Sequence, residues 1–317
     1  MSLLKLRLSM LATVSVIIAI STLGLALILS MTGQFNIMSL AILMTVFNLA
    51  QWLLAPKLIN AIYKTQRLTP EENPTLNQIV EELSRKSDIK TPKLMLANLP
   101  IPNAFAYGSP LTGNHVAVTK GMLDNLNTGE VEAVIGHELG HIKHRDVQVM
   151  MFISFLPSLF YIIARSTLFS RYYGGRGRRD SGSTALIGGA AMFIYFILLL
   201  FNLSLSRLRE YYADQHSSKI VQDGAAKLSS GLAKITASTS AMTSMGAVPS
   251  FSGYKALFIS DPDKALQDTS QLIQSGLMSG DDIVRNIMNR RITTLEKLGE
   301  LFSTHPNIIK RLRAINQ

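Results

Sequence analysis

The residues of this chain best spaced for chemistry are His137, Glu138 and His141, in the run His137-Glu138-Leu139-Gly140-His141. Histidines four apart fall on one face of an α-helix. Two imidazoles one turn apart can share a single zinc ion. Glu138 then stands beside the metal, where a carboxylate can take a proton from bound water. Two histidines leave such a site one protein ligand short, because a catalytic zinc keeps three protein ligands and an open position. The chain has no cysteine, so the third ligand must be His, Asp or Glu. The next cluster of such residues is Arg209-Glu210-Tyr211-Tyr212-Ala213-Asp214. Glu210 and Asp214 are also one turn apart. That spacing suits Glu210 as the ligand and Asp214 as a carboxylate that orients a histidine by accepting its other ring N–H. Acidic pairs at this spacing usually line a solvated helix face. Here the pair ends an apolar segment and is flanked by Arg207 and Arg209, which favours the site. His305, in Ser303-Thr304-His305-Pro306, is a candidate hydrogen-bond donor to a developing oxyanion. A loop histidine before proline is more often a surface residue.

Composition says what must carry these residues. The chain has 317 residues, enough for one or two domains. It is 47% hydrophobic and 16% charged, with a mean hydropathy of +0.23, which points to a membrane protein. The net charge of +10 and pI near 9.8 raise nucleic acid as a partner. No nucleic-acid motif is present, and much of the basic charge lies beside apolar runs, so anchoring in a lipid bilayer explains it better. With no cysteine, a disulfide framework and thiolate metal sites are excluded.

Four uncharged apolar stretches, 10–31, 35–55, 147–164 and 185–206, are each about the length of a membrane-spanning helix. The first follows Lys5 and Arg7 but is too long for a signal peptide and lacks a small-residue cleavage site, so it reads as an uncleaved anchor. The third is the shortest and holds Pro157, with a partly inserted helix as the alternative. Lys5 and Arg7 before the first hairpin, and Lys57, Lys64 and Arg67 after it, place both its ends in the cytoplasm. If His141 and Glu210 share a metal, both ends of the second hairpin also lie on one side. Its loop, 165–183, then carries five arginines across the membrane against the positive-inside rule, or the hairpin is re-entrant.

Between the hairpins the pattern predicts a small α/β region. Helical spacing of Leu76, Ile79, Val80 and Leu83 predicts a helix over 75–87. Strands are predicted at 93–97, 103–107 and 115–119. The motif helix is predicted to start at Asn127, with Glu130 three residues on, and to run unbroken into the third apolar stretch. Such a sheet would have an edge along the metal cleft, able to hold an extended peptide by its backbone. Downstream, helices are predicted over 225–238, 281–302 and 307–315, with 239–252 as a loop, a lid or more simply a linker. The expected divisions are a transmembrane hairpin (1–56), a first catalytic part (57–146), a transmembrane or re-entrant hairpin (147–206) and a second catalytic part (207–317).

The three motifs His137–His141, Arg209–Asp214 and Ser303–Pro306, in this order among four apolar spans, resemble the HtpX-type membrane metalloproteases, relatives of the CaaX prenyl proteases. The resemblance covers nearly the whole chain. It implies an α-helical integral membrane protein with a mostly helical zincin-like α+β catalytic domain and about four transmembrane or membrane-inserted helices. It implies a multi-pass zinc endopeptidase of the cytoplasmic membrane, its active site facing the cytoplasm, in quality control of damaged or misassembled membrane proteins. Carried over by motif, His137, His141 and Glu210 hold one Zn2+, Glu138 is the general base, and Asp214 takes the second acidic position. Asn103-Ala104-Phe105-Ala106 matches the substrate-strand motif, so Asn103 is a substrate contact, and His305 matches a C-terminal His-Pro. Two other readings compete. A silent membrane scaffold or chaperone with a structural zinc site would need four protein ligands and has no use for Glu138. A prenyl-peptide processing enzyme would need a larger membrane cavity than four spans enclose. Oligomeric state is not encoded in these patterns; Gly188 to Ala191 forms a small-residue patch better suited to packing within the chain.

Overall fold

The computed structural model describes residues 37–173, 181–244 and 280–317. The first apolar stretch lies outside them, as do part of the arginine-rich loop and most of 239–252. Helix α1 (Ile37–Tyr63) takes in the described part of the second stretch and continues past it. It ends where Lys64 takes a left-handed φ of 48°, and Thr65 Oγ1 donates back to Asn60 Oδ1 at 2.6 Å.

A four-stranded sheet follows, built from β1 (Gln66–Arg67), β2 (Lys93–Ala97), β3 (Ala104–Ser109) and β4 (Gly113–Thr119), in the order β1-β2-β4-β3. β2 and β4 are parallel, with Leu94 opposite Val116, and β3 and β4 form an antiparallel hairpin, with Ala106 opposite Val116. β3 is therefore an edge. Side chains alternate along it. Ala104 and Ala106 pack with the main core, while Phe105 and Tyr107 join Tyr63 and Ile59 of α1 on the other face. Tyr107 donates its hydroxyl to Asn60 Oδ1 at 2.6 Å, so α1 and the edge strand are tied together.

The main core is helical. α2 (Pro74–Lys86) starts at Asn73, whose side chain accepts from Leu76 N, and buries Leu76, Val80 and Leu83. A short α3 (Lys120–Asn125), capped by the Thr119 hydroxyl, leads to α4 (Thr128–Lys143), the motif helix. α4 opens with the anticipated capping box of Asn127 and Glu130. The Glu130 carboxylate also accepts from Ser230 Oγ at 2.6 Å and pairs with Lys234 at 2.7 Å, pinning α4 to α7 (Gly224–Ser244). The long α6 (Ser181–Ile220) carries Glu210 and Asp214 in its last turns. α8 (Gly280–Asn289), α9 (Thr294–Leu301) and α10 (Ile308–Ile315) complete this part.

Several expectations are corrected. The motif helix does not run on into the third stretch. His144 caps α4, Arg145 adopts a left-handed φ of 55°, and α5 (Asp146–Tyr173) begins afresh. Residues 239–244 are helical, because α7 continues to Ser244 with Thr239 and Ser240 buried. The segment 281–302 is two helices, since a second capping box at Thr293 and Glu296 restarts the chain after Asn289. β1 and α3 were not anticipated, being too short to show a period.

Two compact units result. One comprises residues 53–147, 209–244 and 280–317; residues 148–173 and 181–208 belong to the other. In the second unit, Ile153, Phe160 and Ile163 of α5 pack with Ile187, Ala191, Leu198 and Leu205 of α6, and Asn202 donates to Ser154 Oγ at 3.0 Å. Leu186, Phe193 and Phe196 are exposed. Two helices among the described residues are long and apolar enough to cross a membrane, over Asp146–Arg165 and Ala185–Ile220. Only 35% and 22% of their most apolar windows are buried, unlike core helices of a soluble protein.

Candidate metal centre

α4 and α6 approach closely because glycine lines their contact. A Cβ on Gly136 would lie 3.0 Å from Ser217 Oγ, and one on Gly140 would lie 3.1 Å from Ala213 Cα and 3.2 Å from His216 Cβ. Ser217 Oγ also donates to Ala133 O at 2.6 Å. The two glycines, which weaken a helix on propensity alone, set the spacing that lets a carboxylate on α6 meet imidazoles on α4. Gly140→Val is expected to destabilise the protein by about 1–3 kcal/mol through overpacking. Thermal unfolding in detergent checks it against Gly189→Val, because a Cβ at Gly189 meets nothing within 4 Å. Equal midpoints for the two variants would refute the close-packing role.

His137, His141 and Glu210 come together at this contact, with one donor atom from each lying within 4.8 Å of the others. The imidazole Nε2 atoms are 3.2 Å apart. Glu210 Oε1 is 3.5 Å from His141 Nε2, and Oε2 is 3.7 Å from His137 Nε2. Donors bound to one tetrahedral zinc at about 2.0–2.1 Å stand roughly 3.3 Å apart, so these separations suit such an ion.

The outer nitrogens decide which atoms face inward. His137 Nδ1 lies 2.9 Å from Asp214 Oδ1, at contact distance though off the hydrogen-bond axis. His141 Nδ1 lies 2.6 Å from Asp146 Oδ2. A carboxylate beside each Nδ1 favours the proton there, the tautomer that turns both Nε2 lone pairs inward. Two lone pairs facing each other beside a carboxylate repel unless a cation sits among them. The buried charges agree. Glu138, Glu210, Asp214 and Asp146 are four carboxylates, against the guanidiniums of Arg209 and Arg311, which leaves two negative charges for a divalent ion to balance.

Arg209 pairs with Asp146 and donates to His144 O. Arg311, on α10, forks onto Asp214 with Nε at 2.9 Å and Nη2 at 2.7 Å, and its Nη1 is 3.2 Å from Glu210 Oε2. Burial opposes its charge, but Asp214 and Glu210 outweigh that and hold its pKa above the usual value. His305 places Nε2 3.9 Å from Glu210 Oε1 and keeps 18% of its side chain exposed. Burial lowers its pKa, which favours the neutral ring, with Glu210 pulling the other way. Glu138 is buried on α4 beside His137. Asn103 lies outside this cluster, buried immediately before β3, which begins one residue later than the predicted strand, and its backbone N–H is donated to Thr119 Oγ1. His144, three residues after His141, is turned away to pack on Tyr212 with ring centres 4.0 Å apart, and burial takes its pKa down to about 3.

Sequence reasoning missed Asp146 and Arg311. Asp146 on an unbroken helix would face away from His141; the turn at Arg145 brings it back. Arg311 carried a readable signal, a charge on the apolar stripe of Ile308, Leu312 and Ile315.

Paired histidines one turn apart, an adjacent buried glutamate and a carboxylate from a second helix define a single-metal peptidase site. The sequence profile of peptidase family M48 matches residues 70–317. The Protease HtpX homolog of Thermoplasma acidophilum is 35% identical, covering 100% of this chain and 99% of its own. That of Aeropyrum pernix is 36% identical over 91% and 88%, and the Protease HtpX homolog 2 of Saccharolobus solfataricus is 40% identical over 74% and 75%. The crystal structure of S. mikatae Ste24p shares the fold with a TM-score of 0.51 at 18% identity, covering 99% of this chain and 67% of that one. The chain belongs to peptidase family M48 and is a metalloprotease. The scaffold reading is set aside accordingly.

Proposed function

We propose that this metalloprotease is a multi-pass zinc endopeptidase of the cytoplasmic membrane that cuts misfolded or damaged membrane proteins at a site facing the cytoplasm. The observation that carries the chemistry is the set of three inward lone-pair donors, His137 and His141 Nε2 and the Glu210 carboxylate, each backed by a buried charged partner. These three residues would hold the ion. The chemistry such an ion supplies when bound is Lewis acidity toward water and toward a peptide carbonyl. Glu138 takes the proton of the attacking water and hands it to the leaving amine. Asp214 and Asp146 keep the imidazoles oriented. His305, beside Glu210, donates to the developing oxyanion. The β3 edge, just after Asn103, holds the peptide by its backbone.

The membrane assignment rests on the two long apolar helices and the basic residues that flank the first hairpin. The hairpins at 1–56 and 147–206 would alternate with catalytic parts at 57–146 and 207–317. Cleavage of casein tests both halves of the proposal. Detergent-purified protein should cut it, a chelator should reduce the rate to background, and zinc should restore it. Casein added outside should be cut by inverted membrane vesicles and spared by right-side-out ones. Cleavage that survives chelation would refute the metal, and the reverse vesicle pattern would refute the orientation.

A further inference from the structure

Arg311 touches both acidic residues of α6 and belongs to none of the motifs. Its side chain is 2% exposed, and its fork occupies both oxygens of Asp214. Its remaining nitrogen, Nη1, sits 3.2 Å from Glu210 Oε2, an ion-pair contact off the hydrogen-bond axis. Oε2 also stands 3.7 Å from His137 Nε2, while the other Glu210 oxygen, Oε1, faces His141 Nε2 at 3.5 Å and His305 at 3.9 Å. The nearest approach of the guanidinium is thus to one oxygen of the carboxylate, Oε2.

We infer that Arg311 is a positioning residue that makes Glu210 a one-oxygen ligand, and so keeps a coordination position open for water. This rests on the reading of His137, His141 and Glu210 as the metal site. A carboxylate beside a metal can bind through one oxygen or both. Nη1 competes with the ion for Oε2, which otherwise faces His137 Nε2 at 3.7 Å, and so favours Oε1 as the ligand atom. A peptidase needs this, because a second carboxylate oxygen on the metal would compete with the nucleophile for the open position. The same guanidinium donates to Asp214 Oδ1, the oxygen that His137 Nδ1 meets at 2.9 Å, so one side chain sets two of the three ligands. Neutralising charge alone would not require arginine. A lysine supplies a point charge but cannot fork onto Asp214 while reaching Glu210.

The experiment uses the full chain in detergent, loaded with Co2+ in place of zinc, as wild type, Arg311→Lys and Arg311→Met. The visible absorption of cobalt is strong with four ligands and weak with five or six, and reads coordination number without reference to activity. Wild type should give the strong spectrum. Both variants should lose at least about half of it as Glu210 takes the ion with both oxygens. With zinc, kcat on a casein-derived peptide should fall about 10–100-fold, the usual effect of removing a group that orients a ligand. KM should stay within roughly twofold, since an effect confined to chemistry leaves binding alone. A wild-type spectrum and kcat in Arg311→Lys would overturn the inference, leaving Arg311 as a charge balance only. Should Arg311→Met not fold, Arg311→Lys decides alone. A wild type that takes up no cobalt would instead bring down the metal-site reading, and this inference with it.

Discussion

Glu138→Gln is expected to lose peptide cleavage by about 10²–10⁴-fold, the range for removing a general base, while keeping the metal. Glutamine fills the same volume on α4 but cannot accept the proton of the attacking water. None of the three inward donors is altered, since His137, His141 and Glu210 keep their partners at Asp214, Asp146 and Arg311. Metal content by elemental analysis should remain near one ion per chain. Casein cleavage and metal content measured on one preparation separate a chemical defect from a binding one. If the variant keeps more than about a tenth of wild-type activity, far above that range, Glu138 is not the base.

The second large effect is on metal content. Glu210→Ala removes one of three donors and takes from Arg311 its contact with that carboxylate. Losing a group that only orients a ligand weakens metal binding about 10–100-fold, so losing a ligand should exceed about 100-fold. Dialysis against a moderate chelator should strip the variant and spare the wild type, and cleavage should vanish with the ion. The result bears on the path of the chain as well as on chemistry, because residues 148–208 separate this ligand from the histidines. Metal retained at the wild-type level would remove Glu210 from the site.

The sequence was legible wherever local chemistry decides structure. Asn127 and Glu130 announced the start of α4 because a capping box is a contact between residues three apart. β2 was read to its ends, bounded by Pro92 and the prolines at 100 and 102. Glu210 and Asp214 were legible as a pair because one helical turn puts them on one face. The break between α4 and α5 was hidden, since Arg145 adopts a left-handed conformation with neither glycine nor proline to signal it. That turn is stabilised from a distance, by Arg209 holding both His144 O and Asp146. With the break hidden, the partner of His141 was hidden too. The close approach at Gly136 and Gly140 was likewise invisible, because it depends on which residues of α6 lie opposite.

The centre draws on three lengths of chain, 137–146, 209–214 and 305–311, and the middle one follows a long apolar hairpin. Translation delivers them in that order. At about 5–20 residues per second, roughly ten seconds or more separate the appearance of His141 from that of Arg311. Throughout that interval the histidines lack their carboxylate partner on α6, or that carboxylate lacks its guanidinium. A nascent copy therefore has no finished centre with which to attack itself or the insertion machinery. On the proposed reading of the site, proteolytic competence would await the late helix, a delay written into the order of the segments.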